Sequence, residues 1–347
     1  MTRVTALGLF SGGLDSILAC RVIAAQSIRV VALKFVTPFF DHDLLPHKSA
    51  YAEQMRREYG LEVELVDISE GYVHLLEKPT HGFGKHFNPC IDCKIFMLRR
   101  AREFMAQYGA SFLFTGEVLG QRPMSQRRDT LRVIERDSGC EGILLRPLCA
   151  KLMPPTRAEI EGLVDRERLC AFSGRGRKQQ KQLAAEFGIT DYPAPAGGCM
   201  LTDANLAPRI KHFYEGLFSF GQQGVVDDIR LLSIGRHFKL DENVWFILGR
   251  DERENNRLMA LRGPGDWLIR MSTRPGPLGL LRHAGETMAG SAREGEVLDY
   301  LAGIVVRYGK KVVNEPARAE VMIDRGATTS MAWYGPLPGQ EIEAWRI

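Results

Sequence analysis

The sequence contains no run of eighteen or more apolar residues, which excludes a membrane-spanning helix. Its opening, MTRVTALGLFSGGLDS, lacks the long apolar segment and small-residue cleavage site of a secretory leader. No internal repeat or long low-complexity tract is present, and the balance of hydrophobic and charged residues excludes collagen-like, disordered and coiled-coil readings. Charge of one sign is scarce too. Lys and Arg number 46 against 42 Asp and Glu, a formal charge of +4, too small an excess to indicate nucleic-acid binding without local patches. None of the eight histidines sits at metalloprotease or triad spacing, so His81, His86 and His237 are expected to be structural or surface residues. The seven cysteines are an odd number in a chain without a leader. A reducing cytoplasm is therefore expected rather than a disulfide framework, and close cysteine pairs read as metal or redox sites.

What is present is a chain of 347 residues, 45% hydrophobic and 25% charged, long enough for two domains. Val4 to Phe10 is a short apolar run ending in a Gly-rich turn. Leu14, Ile17, Leu18 and Val22 then recur at helical spacing, and Ile28 to Val36 reads as a buried strand. This strand–turn–helix–strand unit implies a parallel sheet with a right-handed crossover. The alternation continues with a helix over 48–59, a strand over 61–67, a helix over 93–108 and strands at 111–114 and 142–145. Thr156 and Glu159 mark a capping box. Residues 1–171 are thus expected to form an open, doubly wound α/β domain. Residues 172–205 read as a basic linker with a Pro/Gly segment carrying Cys199, and 206–347 as a smaller α+β domain with strands at 244–248 and 267–271.

Ser11-Gly12-Gly13-Leu14-Asp15-Ser16 lies between a strand and a helix, where a backbone cradle for phosphate belongs. The glycines let the chain approach an anion closely and the serines add donors, while Asp15 caps the helix or helps to hold Mg²⁺. No Gly-Lys-Ser/Thr follows, and the Gly-x-Gly-x-x-Gly turn is missing, so Walker and dinucleotide loops are excluded. The hexapeptide resembles the signature of the PP-loop ATP pyrophosphatases. That resemblance implies ATP and Mg²⁺ as cofactors, and adenylation of a carbonyl oxygen or carboxylate as the chemistry.

Asn88-Pro89-Cys90-Ile91-Asp92-Cys93-Lys94 places two thiols at the start of a helix, where the dipole is expected to favour thiolate. Cys199 follows the turn Ala196-Gly197-Gly198, whose glycines are expected to leave it accessible. Three readings compete for Cys90, Cys93 and Cys199. They are ligands of an iron–sulfur cluster with one iron open, a zinc site short of a ligand, or redox thiols carrying a persulfide. Cys20, Cys140, Cys149 and Cys170 are scattered and read as buried small residues.

Thr115-Gly116-Glu117-Val118-Leu119-Gly120-Gln121, followed by Ser125-Gln126 and Arg146-Pro147-Leu148, is similar to landmarks of the ThiI family, the 4-thiouridine synthases of tRNA. The match runs over roughly residues 4–203, with an extra residue between Gln121 and Ser125. Asn-Pro-Cys-x-x-Cys also resembles the 2-thiouridine synthases, so both carbonyls of uridine stay open. The resemblance implies ATP contacts from Leu9, Phe10, Ser11, Gly12, Gly13, Leu14, Asp15, Ser16, Lys34, Phe35, Lys94, Gly116 and Gln126. It implies catalytic roles for Asp15, Cys90, Cys93 and Cys199, the three cysteines being candidate 4Fe–4S ligands with Cys199 near the sulfur-handling position. The expected function is ATP-dependent tRNA sulfurtransfer, in which a uridine carbonyl oxygen is adenylated and replaced by sulfur. The donor would be sulfide or a cysteine desulfurase persulfide.

The family's N-terminal RNA-binding extension is expected to be absent, because the phosphate loop starts at residue 11. RNA contacts are therefore expected from the basic cluster Arg175, Arg177, Lys178 and Lys181 and from the C-terminal domain. Trp245 to Arg250, Asn255-Asn256, Pro264-Gly265-Asp266 and Pro275-Gly276 resemble the RNA-binding domain of NFACT proteins. Two alternatives stand beside this reading: a PP-loop enzyme activating another carbonyl for nitrogen insertion or amidation, and an ATP-sensing RNA-binding protein.

Overall fold

The computed structural model describes residues 4–194, 199–216, 225–310 and 317–347. The chain divides into two compact units, Met1–Ala204 and Asn205–Ile347, so the segment that carries Cys199 lies with the first. The residues at 195–198, expected to expose Cys199, lie outside the described residues.

The first unit runs β1 (Thr5–Leu9), α1 (Leu14–Ala24), β2 (Arg29–Val36), α2 (Lys48–Tyr59), β3 (Glu62–Asp67), α3 (Ser69–Leu75) and α4 (Cys90–Tyr108). It continues with β4 (Phe112–Thr115), α5 (Arg128–Ser138), β5 (Leu144–Leu145), α6 (Arg157–Ile160) and α7 (Lys178–Glu186). The strands form one parallel sheet in the order β3-β2-β1-β4-β5. Every residue of β2 after Arg29 is buried, as a parallel strand covered on both faces requires. The order makes β1 and β4 the point where the chain stops building to one side and starts on the other. Crevices in open α/β sheets form at that place, outside the carboxyl ends of the strands. The register sets the ends of β1 and β4 level, with Leu9 opposite Thr115, while β2 continues past Leu33, the partner of Leu9, to Val36. Thr156 and Glu159 make the anticipated capping box ahead of α6.

The second unit runs α8 (Leu206–Tyr214), α9 (Val225–Leu232), β6 (Arg236–Asp241), β7 (Val244–Leu248), α10 (Glu252–Ala260), β8 (Trp267–Met271) and β9 (Gly279–Arg282). It ends with α11 (Ala284–Thr287), α12 (Glu294–Tyr308), β10 (Ala319–Asp324), β11 (Thr329–Tyr334) and α13 (Gly339–Trp345). Its sheet is antiparallel throughout, in the order β11-β10-β8-β9-β7-β6. Val297, Leu301 and Ile304 of α12 join Ile269, Val321 and Ile323 of the sheet in one core. His237, left without a role by its sequence context, is fully buried there. Its Nε2 donates to the Ile234 carbonyl at 2.7 Å and its Nδ1 accepts from Trp245 Nε1 at 2.9 Å. Burial, aided by Arg209, pushes its pKa well below 6.5, so the ring is neutral.

Candidate active site

The Gly-rich loop leaves β1 at the switch point. Gly12 takes a φ of +83°, a conformation side-chain-bearing residues rarely adopt, and this turns the chain so that α1 starts at Leu14. Gly13 is the N-cap, and its carbonyl accepts from Ser16 N at 3.0 Å, Ile17 N at 3.1 Å and Ser16 Oγ at 2.7 Å. Ser11 Oγ donates to Ser16 Oγ at 3.3 Å. Lys34, at the end of β2, is 3% exposed, and its ammonium donates to the Ser11 carbonyl at 3.0 Å and to Asp41 Oδ2 at 2.6 Å. Phe10 and Phe35 are buried beside it. Gly116, just past β4, forms the opposite wall. A Cβ there would come within 2.6 Å of the Asp15 carbonyl oxygen, so only glycine permits this approach.

Asp15 is shared. Its Oδ2 accepts from Gln121 Nε2 at 2.8 Å and stands 3.6 Å from Arg177. Its Oδ1 and the Gln121 Oε1 are buried and have no partner among the described residues. A buried carboxylate oxygen with an open valence at the start of α1 fits a hard divalent cation, which takes oxygen ligands. Arg177, expected to face RNA, thus reaches the phosphate loop, while Arg175, Lys178 and Lys181 are exposed. Gln126 turns inward instead: its Oε1 accepts from Arg122 N at 3.1 Å and its carbonyl from Gly120 N at 2.8 Å, which shapes the 116–126 segment.

Lys94, expected to contact ATP, is tied to Glu117, which also accepts from Arg146 Nε at 2.9 Å and from Thr115 Oγ1 at 3.1 Å. Burial pushes the Glu117 carboxyl up, but Lys94 and Arg146 outweigh it and hold the pKa down at about 2. This ion cluster locks α4 to the wall beside Gly116.

The cysteines converge around a residue that carries no motif. Tyr72 on α3 is 1% exposed, and its hydroxyl donates to the Cys93 sulfur. Burial pushes its pKa well above 10, and Cys93, Cys199 and Cys90 all lie near enough to push it further. One backbone bond brings the distant cysteine in: Phe87 N donates to the Leu201 carbonyl at 3.2 Å, joining the loop before α4 to the turn that Cys199 begins. Two expectations are corrected. The helix dipole does not make Cys93 a ready thiolate, because burial dominates and raises its pKa to about 12. Cys199 is half-buried, and its thiol too is pushed up by burial. All seven cysteines are free. Among the described residues no group of three or more His, Cys, Asp or Glu is arranged to hold a metal ion. The donor types suit the expected cluster, but the three sulfurs as placed do not close on one metal position.

The sulfur pocket and the phosphate loop share a wall. Lys94 follows Cys93 and grips Glu117, which follows Gly116 against Asp15; Gln121 touches Asp15, and its neighbour Arg122 acts electrostatically on Cys199. Tyr72 and Arg122 were missed by sequence reasoning. No local signal marks Tyr72, which sits among Ser69, Glu70 and His74; its meaning depends on contacts with residues far along the chain.

Residues 1–152 match the ThiI family, described as thiamine biosynthesis protein, and residues 235–346 match the NFACT protein RNA-binding domain. Among curated proteins, the chain is 23% identical over 147 residues to a probable tRNA sulfurtransferase of Thermococcus kodakarensis, covering 42% of this chain and 37% of that one. It is 30% identical over 149 residues to a tRNA sulfurtransferase of Histophilus somni, covering 42% and 29%. The chain thus spans about a third of the length of these curated relatives. Among solved structures, a 4-thiouridine synthetase–RNA complex with bound ATP aligns at 20% identity and a TM-score of 0.34, over 54% of this chain and 52% of that one. The U34-tRNA thiolase NcsA from Methanococcus maripaludis with its 4Fe–4S cluster aligns at 16% identity and a TM-score of 0.32, over 67% and 73%. The first unit is ThiI-like and the second resembles an RNA-binding module. No helix among the described residues is long and apolar enough to cross a membrane.

Proposed function

We propose that this chain, ThiI-like at its start and NFACT-like at its end, is an ATP-dependent tRNA sulfurtransferase. Its substrates are ATP, a uridine of tRNA, and sulfur supplied as sulfide or as a desulfurase persulfide. The observation that carries the reading is the wall from Asp15 through Gly116, Glu117 and Lys94 to Cys93. It sets an anion-binding turn beside three gathered thiols.

A carbonyl oxygen does not leave as oxide, so it is first activated. The uridine oxygen attacks the α-phosphorus of ATP, pyrophosphate departs, and the adenylated oxygen becomes a leaving group. Sulfide then adds to that carbon and AMP leaves, giving the thiocarbonyl. A persulfide adds in the same way, after which a second cysteine thiolate cleaves the resulting S–S bond. This releases the thiouridine and leaves an enzyme disulfide that an external thiol reductant reopens. Backbone N–H groups at the start of α1 bind the phosphates, assisted by the helix dipole. Leu9, Phe10, Lys34, Phe35, Gly116 and Gln126 build the crevice around the nucleotide, and Asp15 Oδ1 would hold Mg²⁺, which would neutralise phosphate charge. Cys90, Cys93 and Cys199 handle sulfur and, drawn closer together, would be the three ligands of a 4Fe–4S cluster, which would supply a binding place for sulfide. Tyr72 keeps the Cys93 sulfur oriented. Arg175, Lys178 and Lys181, together with the second unit, supply RNA contacts. Carbonyl activation for nitrogen insertion would use the same loop but gives the thiols around Tyr72 no task.

Nucleoside mass spectrometry of tRNA from a strain lacking the protein tests this. Loss of one thionucleoside, restored by the wild-type chain and not by Cys93→Ala, is expected; unchanged levels of every thionucleoside overturn it.

A further inference from the structure

Phe83, Met124 and Met200 are large apolar side chains exposed at 40%, 41% and 37%, on segments that meet at the loop entering α4, next to the clustered cysteines. Phe83 lies on the loop that enters α4. Its ring stacks on Phe87 with centroids 4.2 Å apart and planes 20° from parallel, so one face is covered and the other open. Met124 comes from the 116–126 segment and meets the same loop, its Cε lying 2.1 Å from where a Cβ on Gly84 would stand. Met200 directly follows Cys199, and Phe87 is pinned to Leu201. Arg122 acts on Cys199 in the direction that favours thiolate. Lys85 and Arg122 are exposed, and no ion pair among the described residues engages either.

An open aromatic face beside a flexible thioether, flanked by unpaired cations, suits a nucleobase with its phosphates. A base inside a duplex cannot present its carbonyl to buried sulfurs, so it must leave the stack and be held on another surface. We propose that Phe83, with Met124 beside it, seats one unstacked pyrimidine of a single-stranded RNA segment while its carbonyl faces the sulfurs. Lys85 and Arg122 bind the flanking phosphates. This rests on the thiolation reading above.

A tRNA transcript with part of its uridine replaced by 5-bromouridine is irradiated with the full chain, and the cross-linked peptide is mapped. A cross-link in the peptide that contains Phe83 is expected, lost in Phe83→Ala and kept in Phe83→Trp. In turnover, Phe83→Ala raises KM for tRNA about ten- to a hundredfold, the range that base–aromatic stacking supports, with ATP affinity unchanged. Met124→Glu is a second variant at an exposed position and also raises KM. Cross-links elsewhere, with both variants at wild-type KM, overturn the proposal. Should the wild-type chain form no thionucleoside while the Phe83 cross-link persists and vanishes in Phe83→Ala, thiolation fails and the base seat stands.

Discussion

Two aspartates, one in each unit, are treated in opposite ways. Asp266, in the second unit, is 1% exposed and both its oxygens are used: Oδ1 accepts from His283 N at 2.8 Å, and Oδ2 from Gly263 N and Arg282 at 2.7 Å each. Arg282 in turn donates to Asp228 at 2.7 Å, completing a closed ionic cluster. Asp15, in the first unit, has one oxygen engaged and one buried and open. A buried charge saturated by its own chain holds the fold in place, and removing one member leaves the others uncompensated. A buried oxygen with nothing to accept from is costly unless something else arrives. On the proposed reading, the contrast separates a residue that holds the fold from one that would hold a ligand.

Variants can break this contrast. The largest effect is expected from Cys93→Ala or Cys199→Ala: thionucleoside formation falls to background while ATP binding, measured by calorimetry, survives. Retained sulfur transfer would remove the thiols from the chemistry. Asp266→Ala comes next and costs about 3 kcal/mol in urea unfolding, because Arg282 and two backbone N–H groups lose their acceptor. Asp15→Asn gives the reverse pattern, with AMP release slowed about a hundredfold or more and unfolding shifted by less than ~0.5 kcal/mol. If Asp15→Asn destabilised the chain as much as Asp266→Ala, the contrast would be lost.

The smallest effect is a pH dependence from His237. Its pKa is depressed in the folded chain, so its stabilising contribution is complete above about pH 6.5 and is lost as the unfolded chain takes up a proton below it. The loss grows steadily as the pH falls below that value. His237→Gln should flatten that part of the stability profile; an unchanged slope would mean that other groups set it.

Much of the first unit was legible because its signals are local. The Gly-rich loop, the helical period of α1 and the Thr156–Glu159 box each fit within one or two turns of chain. The second unit was harder to read. The apolar runs at Val244–Leu248 and Trp267–Met271 announce themselves, but β11 is exposed at every residue except Tyr334, so it carries no period-two pattern. At the site, the residue types were readable and their environment was not. A Cys-x-x-Cys at a helix start suggests thiolate, yet the decisive quantity for Cys93 is burial beside Tyr72, which no spacing encodes. Gln121 against Asp15, and Lys94 withdrawn to Glu117, are pairings between segments far apart along the chain.

The bond from Phe87 to Leu201 closes the cysteine cluster late in the chain. The Gly-rich turn, Lys34 and the 116–121 segment all precede residue 199. On the proposed reading, a chain truncated ahead of Cys199 would keep the nucleotide crevice and lose the third thiol, so it should bind ATP and form no thionucleoside.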